Sequence, residues 1–216
     1  MLHDYITDTL TKGARAYDYD GVELIAKCGE VKVHHWARKT ADPDTWWEKE
    51  TPWHINWKSL FPENDREQKI TDCTGETHRM DARTFIGIKA YVLEFQNSRI
   101  EISEVSARDT AYKNNGYAGV IWVWNGETIK METEALGNGL VRAVIRTKGK
   151  AIWQCDCLAL IDCGETIYQV VATPEYENDY WYLKPMAKGD VIATLTTNAS
   201  NTSTMTMRMM LEEGAA

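Results

Sequence analysis

The chain has 216 residues, 24 Lys and Arg against 32 Asp and Glu, a formal net charge of −8, and 44% hydrophobic with 26% charged residues. That composition excludes disordered, collagenous and coiled-coil classes. It also excludes nucleic-acid binding through bulk positive charge, so any phosphate contact has to be local or metal-assisted. No run of 18 or more apolar residues is present, and the start MLHDYITDTL lacks the basic and apolar stretches of an export signal, so a cytoplasmic protein without a membrane partner is expected. Five cysteines, Cys28, Cys73, Cys155, Cys157 and Cys163, form an odd set and read as reduced thiols. Nine Trp and ten Tyr beside three Phe fit an anchored core better than a stacking surface.

In chain order, residues 1–10 read as a short helix, and AYDYDGVELIAK as two strands about an Asp20-Gly21 turn. Thr51-Pro52 is an N-cap followed by proline at the first helical position, so PWHINWKSL is a helix ending before Pro62. THRMDARTFI and GIKAYVLEFQN are strands separated at Gly87 and are expected to pair antiparallel. Ser103 is the expected cap of a helix through Lys113, and AGVIWVW reads as a buried strand. Asn125-Gly126 predicts a hairpin turn, after which VRAVIRTK, AIWQCDCLALID, TIYQVVA, YWYLK and DVIATLTT all read as strands. The expected organisation is an N-terminal segment over 1–45, a core over 46–125 and a β-rich lobe over 126–216 packed on that core.

Period-2 alternation in LEFQNS puts Glu94, Gln96 and Ser98 on one face of a strand. A hairpin would bring Asp81 of RMDART beside Glu94, and two carboxylates in that arrangement suit Mg²⁺ or Mn²⁺ and metal-assisted phosphodiester hydrolysis. By spacing alone, solvated surface carboxylates are the commoner reading.

The segments ETPWHINWKSLFP, GETHRMDA, VLEFQNSRI, ARDTAY and VIWVW occur in an order that resembles the competence-protein CoiA-like nucleases. The resemblance runs over roughly Ala26 to Asn125, with a weaker echo in LALIDCGETIYQV. It implies an α/β (α+β) fold with a restriction-endonuclease-like core of mixed β-sheet flanked by helices, in the PD-(D/E)XK superfamily with Glu-x-Gln in the third motif. It further implies that Asp81 and Glu94 are metal ligands for Mg²⁺ or Mn²⁺ and that Gln96 positions the attacking water or a phosphate oxygen. Gln96 itself has no proton equilibrium near neutral pH and is not a general base.

By the same resemblance Glu50 is a helical acid of the metal site, His54 a group for proton transfer and Lys58 an offset to phosphate charge. His54 equally reads as a capping or packing residue among Trp47, Trp53 and Trp57, and Lys58 as a solvated end. Arg108 and Tyr112, four apart on one helix face, match the family's R-x-x-x-Y, with Arg108 either gripping phosphate or pairing with Glu94 or Asp81. Ser98 is a secondary contact to substrate, and His78 reads as structural. KCGEVKVHHWARK keeps one Cys of the family's zinc module, so structural zinc is not expected there. Arg38 and Lys39 in that segment are candidate phosphate contacts.

The expected function is therefore a divalent-metal-dependent nuclease acting on DNA, in competence, recombination or phage DNA processing. The alternative is a catalytically silent relative that binds nucleic acid or a partner protein. The aromatic segment PEYENDYWYLKP, with Trp153 and Trp181, is a candidate surface for homo-oligomer formation. Strand form, RNA against DNA, and sequence preference are not readable from the chain.

Overall fold

Thr51 before Pro52 opens a helix whose geometry follows from its cap. In the computed structural model Thr51 is extended (φ −104°, ψ 164°), and Pro52–Ser59 form helix α1. The structure describes residues 11–17, 23–28, 35–38, 46, 50–146, 158–172 and 180–197. The chain divides into two compact units, Met1–Trp47 and Glu48–Ala216.

In the first unit β1 (Arg15–Tyr17), β2 (Glu23–Lys27) and β3 (His35–Arg38) form an antiparallel sheet in that order. The two strands expected from AYDYDGVELIAK pair as anticipated, with Ala16 opposite Leu24. The expected helix over 1–10 and the Asp20-Gly21 turn lie outside the described residues.

In the second unit a short hairpin, β4 (Lys69–Thr71) with β5 (Thr77–Arg79), precedes β6 (Ala82–Ile86) and β7 (Lys89–Gln96). Then come α2 (Ile102–Asn114), β8 (Val120–Asn125), β9 (Met131–Ala135), β10 (Val141–Ile145), β11 (Leu158–Cys163), β12 (Thr166–Ala172), β13 (Trp181–Ala187) and α3 (Lys188–Thr196). Eight strands make one mixed sheet in the order β6-β7-β8-β11-β12-β13-β10-β9, with β8 parallel to both β7 and β11. Among the described residues, none of the helices is long and apolar enough to cross a membrane.

The faces of the sheet follow from the two-residue period of its strands. Leu93, Phe95, Ile121, Val123 and Leu160 join Trp57 of α1, Phe61 just after it, and Val191 and Leu195 of α3 in one buried cluster. Glu94, between Leu93 and Phe95, points the opposite way, where α2 buries Val105, Arg108, Ala111 and Tyr112. The result is an α/β protein with a large mixed sheet between helices, as expected.

Several local expectations are corrected. THRMDARTFI is not one strand: β5 pairs with β4 and β6 with β7, and Asp81 stands at the break. The cap of α2 is Glu101, not Ser103, and Glu101 makes no side-chain capping bond. DVIATLTT is not a strand but most of α3. Val191 and Leu195, four apart, are its buried positions, and the hydroxyls of Thr194, Thr196 and Thr197 bond to the carbonyls of Asp190, Ile192 and Ala193 one turn back.

Asn125-Gly126 does not join paired strands either, because both neighbours of β8 are parallel partners. It opens a 3₁₀ turn over Gly126–Thr128, with Asn125 Oδ1 accepting from the Glu127 N–H at 3.1 Å. A Cβ on Gly126 would lie 2.5 Å from Cys163 Sγ and 2.6 Å from the Asp162 carbonyl oxygen, so this close approach to β11 requires glycine.

Candidate active site

The hairpin of β6 and β7 is in register with Ala82 opposite Leu93, which sets the preceding Asp81 beside Glu94. Instead of continuing the backbone ladder, Asp81 accepts the Phe95 N–H with Oδ2 at 2.7 Å. Its other oxygen lies 3.0 Å from Lys58 Nζ, so helix α1 and the hairpin meet at this carboxylate.

Lys58 is nearly buried and also reaches Glu50 Oε1 at 2.5 Å and Glu67 Oε1. Burial alone would depress the ammonium's pKa, but Asp81, Glu67 and Glu50 outweigh it and hold Lys58 well above its ordinary value. Glu67 has φ +54°, a left-handed conformation that favours glycine, and its N–H donates to the Asp81 carbonyl at 3.3 Å. Sequence reading missed Glu67: it lies in a connector, and neither periodicity nor motif marks it.

Glu94 is 3% exposed. Arg108 Nη1 donates to its Oε2 at 2.8 Å and the Tyr112 hydroxyl donates to its Oε1, while Arg108 Nη2 reaches Glu104 at 2.6 Å. Burial pushes the Glu94 carboxyl up to about 7, with Asp81 adding to the rise and Arg108 and Tyr112 opposing it. Tyr112 is raised well above its ordinary value by burial and by Glu94. The Arg108 guanidinium lies 5.9 Å from the ring centroid of Trp122, the residue paired with Glu94 on β8.

Gln96 is buried and donates to the Ser98 carbonyl at 3.2 Å and to Ser98 Oγ at 3.4 Å. His54 is also buried, and its Nδ1 accepts the Thr51 N–H at 3.3 Å and lies 2.9 Å from Thr51 Oγ1, closing a capping box. The packing role left open for His54 is thus the contact seen, with Trp53 edge-on at 5.3 Å.

Three acids, Glu50, Glu67 and Asp81, surround Lys58, and Glu94 and Glu104 hold Arg108, with Arg79 3.9 Å from Glu67. Five carboxylates thus outnumber three basic groups. Asp81 and Glu94 are neighbouring carboxylates, the oxygen donors that a hard divalent cation takes, and Lys58, Arg108 and Tyr112 now engage their oxygens.

Away from this centre, Asp72, Glu76 and His78 bring three possible ligand atoms within 4.8 Å of one another in the β4–β5 hairpin. Asp72 already accepts from Thr74 and the Glu76 N–H and faces His78 Nε2 at 3.3 Å, and its carboxyl is lowered to about 2, first by the Thr74 hydroxyl. The group thereby closes the turn.

Arg38 ends β3 opposite Leu24, and Lys39 lies outside the described residues, as do Cys155, Cys157, Trp47, Trp153 and Tyr176. Trp181 of the proposed aromatic surface is buried, paired with Ala143 on β10, and so belongs to the core of the sheet. Tyr180 is exposed, beside the Arg142 guanidinium, which lies 4.5 Å from its ring centroid.

A hairpin, a helix and a parallel strand gather acids at one end of the mixed sheet of this α/β domain. Residues 74–143 match the family described as Competence protein CoiA, nuclease-like domain, and through that segment the chain is similar to the CoiA-like nucleases. The matched segment contains Asp81, Glu94, Gln96, Ser98, Arg108 and Tyr112 and leaves out Glu50, His54, Lys58 and Glu67. Neither the curated proteins nor the solved structures provide a match.

Proposed function

We propose that the protein is a divalent-metal-dependent nuclease that hydrolyses DNA phosphodiester bonds. The observation that carries the reading is the Asp81–Glu94 pair in hairpin register, inside a segment similar to the CoiA nuclease-like domain, with Lys58 on Asp81. Asp81 and Glu94 would hold Mg²⁺ or Mn²⁺, with Glu50 and Glu67 on Lys58 beside Asp81. When bound, the cation supplies charge neutralisation at the scissile phosphate and acidifies water.

Lys58 brings a positive charge to the phosphate side of Asp81, a role the Gln96 amide does not fill. Gln96, held by Ser98, orients water or a phosphate oxygen through its amide. Arg108 and Tyr112 orient Glu94, and His54 holds the start of α1. The setting we propose is DNA processing in competence, recombination or phage biology, in the cytoplasm, with Arg38 and Lys39 as further phosphate contacts.

The test compares wild type with Asp81→Ala and Glu94→Gln, purified identically, on labelled single-stranded and duplex DNA with Mg²⁺, Mn²⁺ or chelator. Cleavage that needs metal and disappears in both variants supports the proposal. Equal cleavage in all three proteins removes it. One observation favours a second reading, a non-cleaving DNA binder: both oxygens of Glu94 already accept hydrogen bonds from Arg108 and Tyr112. A retained gel shift without cleavage by wild type would establish that alternative.

A further inference from the structure

Asp162, near the end of β11, is a buried carboxylate outside the acid group around Lys58. Its Oδ2 accepts from the indole N–H groups of Trp53 at 2.9 Å and Trp57 at 2.8 Å. Lys188, at the start of α3, donates to the same oxygen at 2.8 Å and to Oδ1 at 3.0 Å, while the Gly164 N–H reaches Oδ1 at 3.2 Å. Lys188 Nζ also lies 5.1 Å from the centroid of the Trp57 ring.

The geometry of α1 gives this cluster a consequence. Trp53 and Trp57 are one turn apart, and a single oxygen receives both indole protons only at one rotation of the helix about its axis. Lys58 follows Trp57 on the same short helix, with Nζ 3.0 Å from Asp81. With side chains reaching about 6 Å from the axis, a rotation of about 30° displaces such a group by about 3 Å, enough to break that contact. The indoles and Lys58 therefore share one rotational coordinate of α1.

We propose that Asp162 is the positioning residue of the active site: by capturing two indole donors of α1, it fixes the rotation that delivers Lys58 to Asp81. Its relevance to catalysis rests on the nuclease reading, whereas the positioning itself is testable without cleavage.

The experiment measures acylation of each lysine by an amine-reactive ester, read by mass spectrometry, in wild type, Asp162→Asn and Trp53→Phe. Asn keeps the shape but offers one acceptor oxygen to donors on both sides, the indoles at one and Lys188 with the Gly164 N–H at the other, and it removes the charge that pairs with Lys188. Lys58 should label about fivefold faster or more in Asp162→Asn and by a smaller factor in Trp53→Phe, with Lys184 on β13 unchanged, as for a local rather than a global opening. An unchanged Lys58 rate in folded Asp162→Asn overturns the proposal, as does an equal rise at Lys184. If Asp162→Asn loses its far-UV dichroism, Trp53→Phe decides alone, and an unchanged Lys58 rate there overturns the proposal.

Where wild type cleaves DNA, Asp162→Asn should lower turnover and add nothing further in a Lys58→Gln background. Independent, additive losses refute a route through Lys58. If wild type does not cleave but Lys58 labelling rises as expected, the positioning stands and the nuclease reading falls.

Discussion

Replacing Glu94 by Gln removes a buried ionisable group at nearly constant shape and isolates its contribution to stability. Burial raises the native carboxyl to about 7, against an ordinary value of 4.5. Between those values the native state keeps a proton that the unfolded state has released, so stability falls as pH rises. The loss is complete only above the native pKa. A difference of this size corresponds to about 3 kcal/mol, of which about 2–3 kcal/mol disappears between about pH 5 and pH 8.

In Glu94→Gln that component is absent. Any loss at Arg108 in the variant is independent of pH over the same range, so it moves the whole curve without changing its slope. Urea unfolding in chelator at several pH values, for wild type and variant, gives the difference directly. Parallel pH dependences in the two proteins would refute the argument that burial dominates at Glu94. Adding Mg²⁺ above the native pKa should then restore stability to wild type and not to the variant, because ligand binding stabilises only a folded site that holds it.

Tyr112→Phe removes a hydroxyl that donates to Glu94 and should cost about 1.5–3 kcal/mol in urea unfolding at pH 8, with the Glu94 titration moving higher still. Thr51→Ala should lose about 1 kcal/mol through the N-cap of α1, whereas His54→Gln, which preserves an N3 side chain able to reach back to the cap, should retain both stability and cleavage; loss of cleavage in a folded His54→Gln protein would assign the imidazole to proton transfer. Gly126→Ala should destabilise by about 1–3 kcal/mol, since its Cβ would press on Cys163 Sγ and the Asp162 carbonyl; an unchanged thermal midpoint would contradict that contact.

The parts of the site legible in sequence are those governed by short-range periodicity. Strand alternation separates Glu94 from Leu93 and Phe95, hairpin pairing brings Asp81 to it, and helical spacing aligns Arg108 with Tyr112. Glu67 escapes such reading because its place depends on one left-handed backbone turn and on a lysine nine positions away. Asp162 escapes it because its indole partners lie more than a hundred residues earlier in the chain.

The Thr-rich α3 misleads in a different way, since hydroxyls that suggest β propensity are absorbed by carbonyls within the helix while Val191 and Leu195 supply the buried stripe. Asn125-Gly126 carries a strong hairpin signal, but parallel partners already occupy both edges of β8.

The strand order also bears on how this molecule reaches its native state. β8 and β10 belong to one sheet yet are separated in it by β11, β12 and β13, all of which follow them in the chain. During synthesis the β6–β7 hairpin and the β9–β10 hairpin can each form locally, but the sheet joins only when the later strands enter between them. Such late insertion raises contact order and slows the final step, and until it occurs the apolar edge of β8 stands open to pairing with another nascent chain.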